Sequence, residues 1–554
     1  MRVNFNYEAS STHTAYLVNQ REMGKSLLRL STGMRILEAS DDAAGLFIAD
    51  QLSVVATGLQ EGNRNISTGI SALRIAENAA GQIFDRLKGI YSRAIRAAND
   101  INDPNARAAL QREVANLTDA IQKIGTDTEY NGIKLLDGTF QNKYIHYGAR
   151  MDQVVNVSIA DVRAQSLGAY TVQGQGATYY NTTIDYASGG SLSNLLGGTG
   201  ALGGTGAANF RLDSGDSVTI NGVTVYQYSG TAYLVDAATL AKNINNNPDL
   251  KAIGIEAKAV NTSTASAYDN VVTATATGSA LKTATIDLNF YIGDGTKSFT
   301  INGFASVSGT SGPATVTTIS LDELVSKINS AASTVGAPIT AINDGGRLKL
   351  LTNNGETIAI EAYVNTTGTS SGETLTVNIN FGQLLEGAGT ASQTFNNTTT
   401  RGYSAAVKVG RVTIAANEAF NFTYSGVSDN GTSANEGLNF DIASGASTPF
   451  SNLYSIDLST NAGAERAMMI VSKALQKVDT IRSQIGATMN NLQSIFDAQK
   501  VGYDNTKQAE SVIRNTDYAE EMTNFTTLQI KMQSTIAMLA QANALPQMVL
   551  QLLR

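Results

Sequence analysis

Helix-forming sequence lies at both ends of this chain, and strand-forming sequence lies between them. From Val471 the apolar residues run Val471, Leu475, Val478, Ile481, Ile485, Leu492 and Ile495, with Thr488 interrupting, so their spacing alternates near three and four. Side chains so spaced share one helical face. A second series, Phe525, Leu528, Met532, Ile536 and Leu539, continues to Leu545. Pro546 predicts a kink or an end, and Met548, Val549, Leu550, Leu552 and Leu553 make an apolar tail before Arg554. At the other end Tyr16, Met23, Leu30 and Leu37 recur at heptad spacing, with Leu27 and Met34 between them. Narrow apolar faces at two distant ends predict that the termini meet. The apolar tail predicts that it folds back or that a second subunit covers it.

The rest of the N-terminal third is helical by the same reading. The first helix should end or bend within the interval Ser31 to Asp42, which contains Gly33; Ser40 is a candidate cap, and Asp41 and Asp42 suit the first turn of the next. Residues 43–100 read as one long helix carrying Leu46, Ile48, Leu52, Val55, Leu59, Ile70, Leu73, Ile83, Leu87 and Ile90. Gly62 and Gly69 recur within it at about 1 kcal/mol each, so packing from outside must offset them. Pro104 opens a further helix with Leu110, Val114, Leu117 and Ile121 on one face. Asn131-Gly132 and Asp137-Gly138 are tight-turn signals, and residues 144–159 alternate as a small antiparallel element.

Residues 171–450 change character to short β-prone runs broken by glycine. "VTINGV" from Val218 with "LAKNIN" from Leu240 is echoed roughly eighty residues later by "FTINGF" from Phe299 with "LVSKIN" from Leu324. The echo predicts a duplicated strand–turn–strand–helix unit. Asn354-Gly355 predicts a hairpin, and residues 373–425 add β-rich sequence. The fold class expected is therefore α+β, with coiled-coil-like helical domains built from both termini and β-rich domains inserted between them.

Composition narrows the function. A chain of 554 residues exceeds one core, and a net charge of −8 gives no basic footprint for nucleic acid. With no cysteine there is no disulfide and no thiolate metal site. The two histidines, His13 and His146, lie in unrelated segments, and no phosphate-loop, zinc-protease or nucleophile-elbow motif occurs. No catalytic, cofactor or metal site is expected, although an enzyme built from distant carboxylates in the middle region is a third reading. Asp213, Asp216, Asp294 and Asp322 near glycine turns suit Asx-type backbone bonds better than calcium. The sequons at Asn181 and Asn365 imply surface exposure. No apolar run is long enough to cross a bilayer, and no cleavable signal is recognisable near the start.

The ends resemble bacterial flagellin. The resemblance is carried by "RLSTGMRILEASDDAAGLFIADQL" (29–52), "NRNISTGISALRIAENA" (63–79), "YNGIKLLDG" (130–138), "SQIGATMNNLQS" (483–494), "AESVIRNTDYAEEMTNFT" (509–526) and "MLAQANALPQMVLQLLR" (538–554). It implies a filament subunit for swimming motility, secreted to the extracellular flagellum through a narrow export channel. A hook–filament junction protein is the alternative. It further implies an inner helical domain from residues 1–43 with 515–554, a tube-forming domain from 44–175 with 450–514, and a variable outer region, 176–449, of two α+β or β-rich domains. Self-assembly, an export chaperone, a filament cap and junction proteins are the partners implied. Small residues Gly45, Ala49, Ala76 and Ala80 would allow close helix approach, and plain helix propensity is the alternative reading of the alanines. Where many flagellins carry "QRVREL" for the innate immune flagellin receptor, this chain has "KGIYSR", 88–93. Gly89 replaces the key arginine and Arg93 the leucine while Glu113 keeps the acid, which implies weak or no receptor activation.

Overall fold

The computed structural model describes residues 6–99, 102–180, 192, 211–212, 215–227, 233–369, 371–425 and 437–552. Asn181, Asp213 and Leu553 lie outside them. Helices α1 (Tyr7–Thr32), α2 (Ala43–Ala97) and α3 (Pro104–Asp127) precede the β-rich region. Within that region lie α4 (Ala237–Asn246), α5 (Pro248–Ala252) and α6 (Leu321–Val335), and α7 (Asn461–Arg514) and α8 (Tyr518–Leu552) follow it. The chain divides into two compact units, Met1–Gly81 with Thr126–Asp161 and Thr480–Arg554, and Gln82–Gly125 with Val162–Asp479. The expected α+β class, helical at both termini with β-rich structure between, is what the chain adopts.

In the first unit α1 packs on α8. On α1 the sheltered positions are Tyr16, Asn19, Met23, Ser26 and Leu30; on α8 they are Glu521, Phe525, Leu528, Met532, Thr535, Leu539 and Ala542. Both series step by three and four, the signature of a coiled-coil seam. Leu27, Met34 and Ile536, read from the sequence as seam or near-seam residues, are exposed instead. A one-residue step rotates a side chain by about 100°, so Ser26 and Thr535 enter the seam where Leu27 and Ile536 face out. Asn19 Nδ2 donates to Thr535 Oγ1 at 3.1 Å across it, a polar layer that fixes register.

Pro546 does not end α8, which continues to Leu552. Proline lacks the N–H that would reach the carbonyl four residues back. That carbonyl belongs to Ala542, and it accepts from Asn6 Nδ2 at 2.9 Å. Asn6 also caps α1, its side chain accepting from Ala9 N. Gly33, at φ 72°, closes α1. Beyond it Arg35 N donates to Arg514 O at 2.7 Å and Thr516 N to Gly33 O at 3.0 Å. The break between α1 and α2 is thus tied to the break between α7 and α8. Ser40 is not the cap of α2. Asp42 Oδ1 accepts from Gly45 N at 2.9 Å, while Asp41 accepts from Leu37 N and Glu38 N in the loop.

In the second unit every strand pair is antiparallel. One sheet orders Glu256–Val260, Arg411–Ala416, Gly168–Gly174 and Phe450–Asn452; a larger one is centred on Lys282–Ile292 and Ile358–Thr367. Among the described residues of its β-rich part, one buried cluster lies around Phe290, Phe304, Leu324 and Ile360 and another around Val218, Leu240, Ile244 and Phe422. The sequence echo is structural. Asn245 at the end of α4 clasps Ala257 through both its N–H and C=O, at 2.9 and 2.7 Å. Asn329 of α6 clasps Ala341 identically, at 2.8 and 2.9 Å.

The first copy has the expected tight turn, with Asn221 at φ 50° and Gly222 at φ 81°. The second does not: its strand runs unbroken over Lys297–Gly309. Its Gly303, at φ 65°, makes a bulge held by Asp287 Oδ1. Nor is Asn354-Gly355 a hairpin, because Arg347–Thr352 and Ile358–Thr367 belong to different sheets. Gly355 is required there by close approach, a Cβ lying 2.4 Å from the Ala259 carbonyl carbon.

Candidate assembly surface

The long helix α2 explains its own glycines. Gly58, Gly62 and Gly69 lie on one face with Asn65, and the strand Lys143–His146 with the residues after it is seated against that face. A Cβ on Gly62 would stand 1.9 Å from Tyr147 O, one on Gly58 2.6 Å from Ala149 Cβ, and one on Gly69 2.4 Å from Ile145 Cδ1. Asn65 Nδ2 donates to His146 O at 3.1 Å. The helix therefore carries a notch that accepts backbone, which is the external packing its glycines needed. Of the small residues flagged for close approach, Ala49, Ala76 and Ala80 are fully buried, and Gly45 faces Asp42 and Ile36.

Outside the seam the first unit exposes apolar side chains in quantity. Leu17, Val18, Leu27 and Leu28 of α1 and Met522, Ile530, Ile536 and Met538 of α8 face outward. Phe47 and Val54 of α2 are 65% and 70% exposed, and Val512 of α7 is 74% exposed. Scattered exposed leucines are ordinary, but repeated apolar side chains along both helices of one coiled coil mark an interaction surface. At one end of it Asp41 holds a small electrostatic knot, with Lys25 Nζ at 3.7 Å and an Arg29 guanidinium nitrogen at 3.8 Å. The Leu37 and Glu38 backbone amides, aided by these cations, hold its carboxyl below the usual range.

Two family models match the same helical ends. One, described as the bacterial flagellin N-terminal helical region, covers residues 3–141, and its C-terminal counterpart covers 468–553. A flagellin of Aquifex pyrophilus is 48% identical over 555 residues, spanning 100% of this chain and 99% of its own. The chain belongs to the bacterial flagellin family. A flagellin of Aquifex aeolicus is 46% identical over 571 residues, covering 100% of this chain and 99% of its own. A B-type flagellin of Pseudomonas aeruginosa is 30% identical over the full length of both chains. The solved flagellar junction protein FlgL of Legionella pneumophila covers 84% of this chain and 99% of its own at 10% identity. The TM-score of that match is 0.29. As a flagellin the chain is a structural subunit that polymerises into the flagellar filament.

Other flagged residues have structural roles. Asp294 Oδ1 accepts from Thr296 N and Oγ1, and Asp322 from Asn343 Nδ2. Asp216 is buried, and Asn365 sits half-buried in a strand rather than in a loop. Among the described residues no group of three or more His, Cys, Asp or Glu side chains is placed to hold a metal, and no helix is long and apolar enough to cross a membrane. Within residues 88–93, Arg93 Nε meets Glu113 Oε2 at 2.8 Å, and Arg93 Nη1 donates to Gly89 O at 3.1 Å. The sequence showed the substitutions there but not this pairing.

Proposed function

We propose that the subunit is secreted unfolded and folds its ends as it joins the growing filament, because the outward faces of α1 and α8 are completed by neighbouring copies. Residues 1–43 with 515–554 form the inner tube in this reading, 44–175 with 450–514 the surrounding tube, and 176–449 the outward-projecting region. The observation that carries it is the set of exposed apolar side chains outside the seam on both helices of one coiled coil. Such contacts are heterologous and do not close, the condition for a helical polymer, and ordering of the ends is coupled to binding. An export chaperone, a filament cap and hook–filament junction proteins are the partners that this route requires. The protein then acts outside the cell, as part of the flagellum. Electron microscopy tests the reading with the full chain and with a chain lacking residues 1–40 and 515–554. The full chain should form filaments and the shortened one should stay soluble; equal polymerisation by both would overturn it.

The receptor patch is proposed to be silent. Glu113 is already paired to Arg93, Gly89 offers no guanidinium, and no leucine stands at position 93 as an apolar anchor. Strong receptor signalling by the purified monomer at nanomolar concentration would contradict this.

A further inference from the structure

An asparagine followed by glycine is open to attack by its own backbone, because the glycine nitrogen can close on the side-chain carbonyl carbon with no Cβ to obstruct it. The chain has five such pairs, at Asn131, Asn221, Asn302, Asn354 and Asn430, and Asn430 lies outside the described residues. As dipeptides they are alike, but the structure separates the other four. Asn221 Oδ1 accepts from Asn421 N at 2.8 Å, and Asn221 N donates to Asn421 O at 2.9 Å. At Asn302 the attacking nitrogen is engaged, since Gly303 N donates to Asp287 Oδ1 at 2.7 Å within a six-stranded sheet. Asn354 gives its backbone N–H and its Nδ2 to the two oxygens of Glu356, at 2.8 and 2.9 Å, and Gly355 is buried against Ala259. Asn131 has none of these restraints. It and Gly132 are exposed, and a Cβ on Gly132 would meet nothing within 4 Å. Among the described residues neither the Asn131 side-chain amide nor the Gly132 N–H has a hydrogen-bond partner.

The turn at Asn131 is also the least supported of the four. Asn131 at φ 50° and Gly132 at φ 75° join Glu129–Tyr130 to Ile133–Lys134, which form a sheet of two strands. A two-stranded pair is marginal by itself. Beyond its own ladder it is held by the partly exposed pair of Lys134 Nζ and Glu129 Oε2 at 2.7 Å, and by Leu135 N donating to Thr128 O at 3.1 Å. Ring closure requires the Asn131 backbone to leave its left-handed turn conformation, so the turn that opens at least cost reacts first. We infer that Asn131 is a site of spontaneous modification in this protein, converting through a succinimide to aspartate and isoaspartate. Gly132 N attacks Asn131 Cγ, the new C–N bond closes the ring, and the bond from Cγ to Nδ2 breaks. Nδ2 leaves as ammonia, taking the proton that Gly132 N gives up. Water then adds to either ring carbonyl, its oxygen remains in a carboxylate, and the C–N bond that opens returns a proton to the ring nitrogen. One opening gives aspartate; the other gives isoaspartate, whose main chain is longer by one methylene. Both add a negative charge to a turn already flanked by Asp127, Glu129 and Asp137, and the longer main chain no longer fits a two-residue turn.

The test incubates the full-length monomer at mildly alkaline pH, folded and in parallel in denaturant. Peptides spanning Asn131, Asn221, Asn302 and Asn354 are followed by mass spectrometry that separates asparagine, aspartate and isoaspartate. In denaturant the four should convert at comparable rates, because the dipeptide is the same in each. In the folded chain Asn131 should convert about tenfold faster than any of the other three, the ratio following the difference in local opening free energy. Both products should accumulate there. If any of the other three kept pace with Asn131 in the folded chain, the assignment would be overturned. So it would be if folded Asn131 stayed intact over a period in which the denatured chain converts it. Aspartate without isoaspartate at Asn131 would overturn the succinimide route, since direct hydrolysis of the amide gives aspartate alone.

Discussion

Substituting Gly62 by alanine sets two opposed terms against each other. In the middle of a helix the change is ordinarily favourable by about 1 kcal/mol. Here the new Cβ would lie 1.9 Å from Tyr147 O and 2.5 Å from its carbonyl carbon, so the hairpin backbone must retreat by more than an ångström. Overpacking of that kind costs about 1–3 kcal/mol, and the retreat stretches the Asn65–His146 hydrogen bond, a further loss of about 1 kcal/mol. The net expectation is destabilisation of roughly 1–3 kcal/mol. Gly486 in α7 supplies the control, because a Cβ there meets nothing within 4 Å; G486A should stabilise by about 1 kcal/mol. G69A should fall between them, since its obstacle is the rotatable Ile145 Cδ1. Denaturant titration followed by far-ultraviolet circular dichroism measures all three. If G62A proved as stabilising as G486A, the hairpin would not be seated in the notch and the account of the α2 glycines would fail.

Four further substitutions probe other contacts. D41N should weaken the first unit by on the order of 1 kcal/mol at neutral pH. The folded carboxyl of Asp41 titrates below its unfolded value, so the stabilisation it gives is present above about pH 4 and is lost as pH falls through the folded value. The variant's stability should therefore decline less on acidification, and parallel acid titrations of the two proteins would refute this. N245A and N329A should each cost about 1–3 kcal/mol by releasing a two-bond clasp on a backbone unit, measured by unfolding of the β-rich region. An effect at only one of the two would show that the clasps are not equivalent. N6D keeps an oxygen to cap α1 but loses the donor to Ala542 O, so it should destabilise the α1–α8 pair by about 1–2 kcal/mol, whereas an unchanged melting profile would show that carbonyl to be satisfied otherwise.

What the sequence made legible was local or periodic. Heptad spacing identified Tyr16, Met23, Leu30, Phe525, Leu528 and Met532 as a seam, and the paired asparagines of the repeat proved to do the same work twice. Asn-Gly read correctly at Asn131 and Asn221, where neighbouring strands do pair, with both turn residues at positive φ. The same dipeptide misled at Asn302 and Asn354, because the glycine conformation fits a bulge or a sheet-to-sheet crossing as well as a hairpin. Only the pairing partner decides between these, and that is a tertiary fact. Leu27 and Ile536 misled for a related reason. An apolar residue one step off the seam looks like part of it until the helix is given a partner, and the surplus then becomes a second face.

Pro546 shows most clearly why a local rule runs out. Read alone, a proline leaves a helical carbonyl without its donor, and the ordinary outcome is a kink or an end. In this chain the missing donor is replaced by Asn6, 536 positions away in sequence, so the helix continues only where the two termini are already together. The same side chain caps α1 through its oxygen, which makes the start of one helix and the continuation of the other a single event. A chain whose ends have not met keeps the local cap at Ala9 but lacks the substitute donor, and its last turns after Ala542 lack that support. Order at the start of the chain and order at its end are therefore coupled to each other through Asn6 and Ala542.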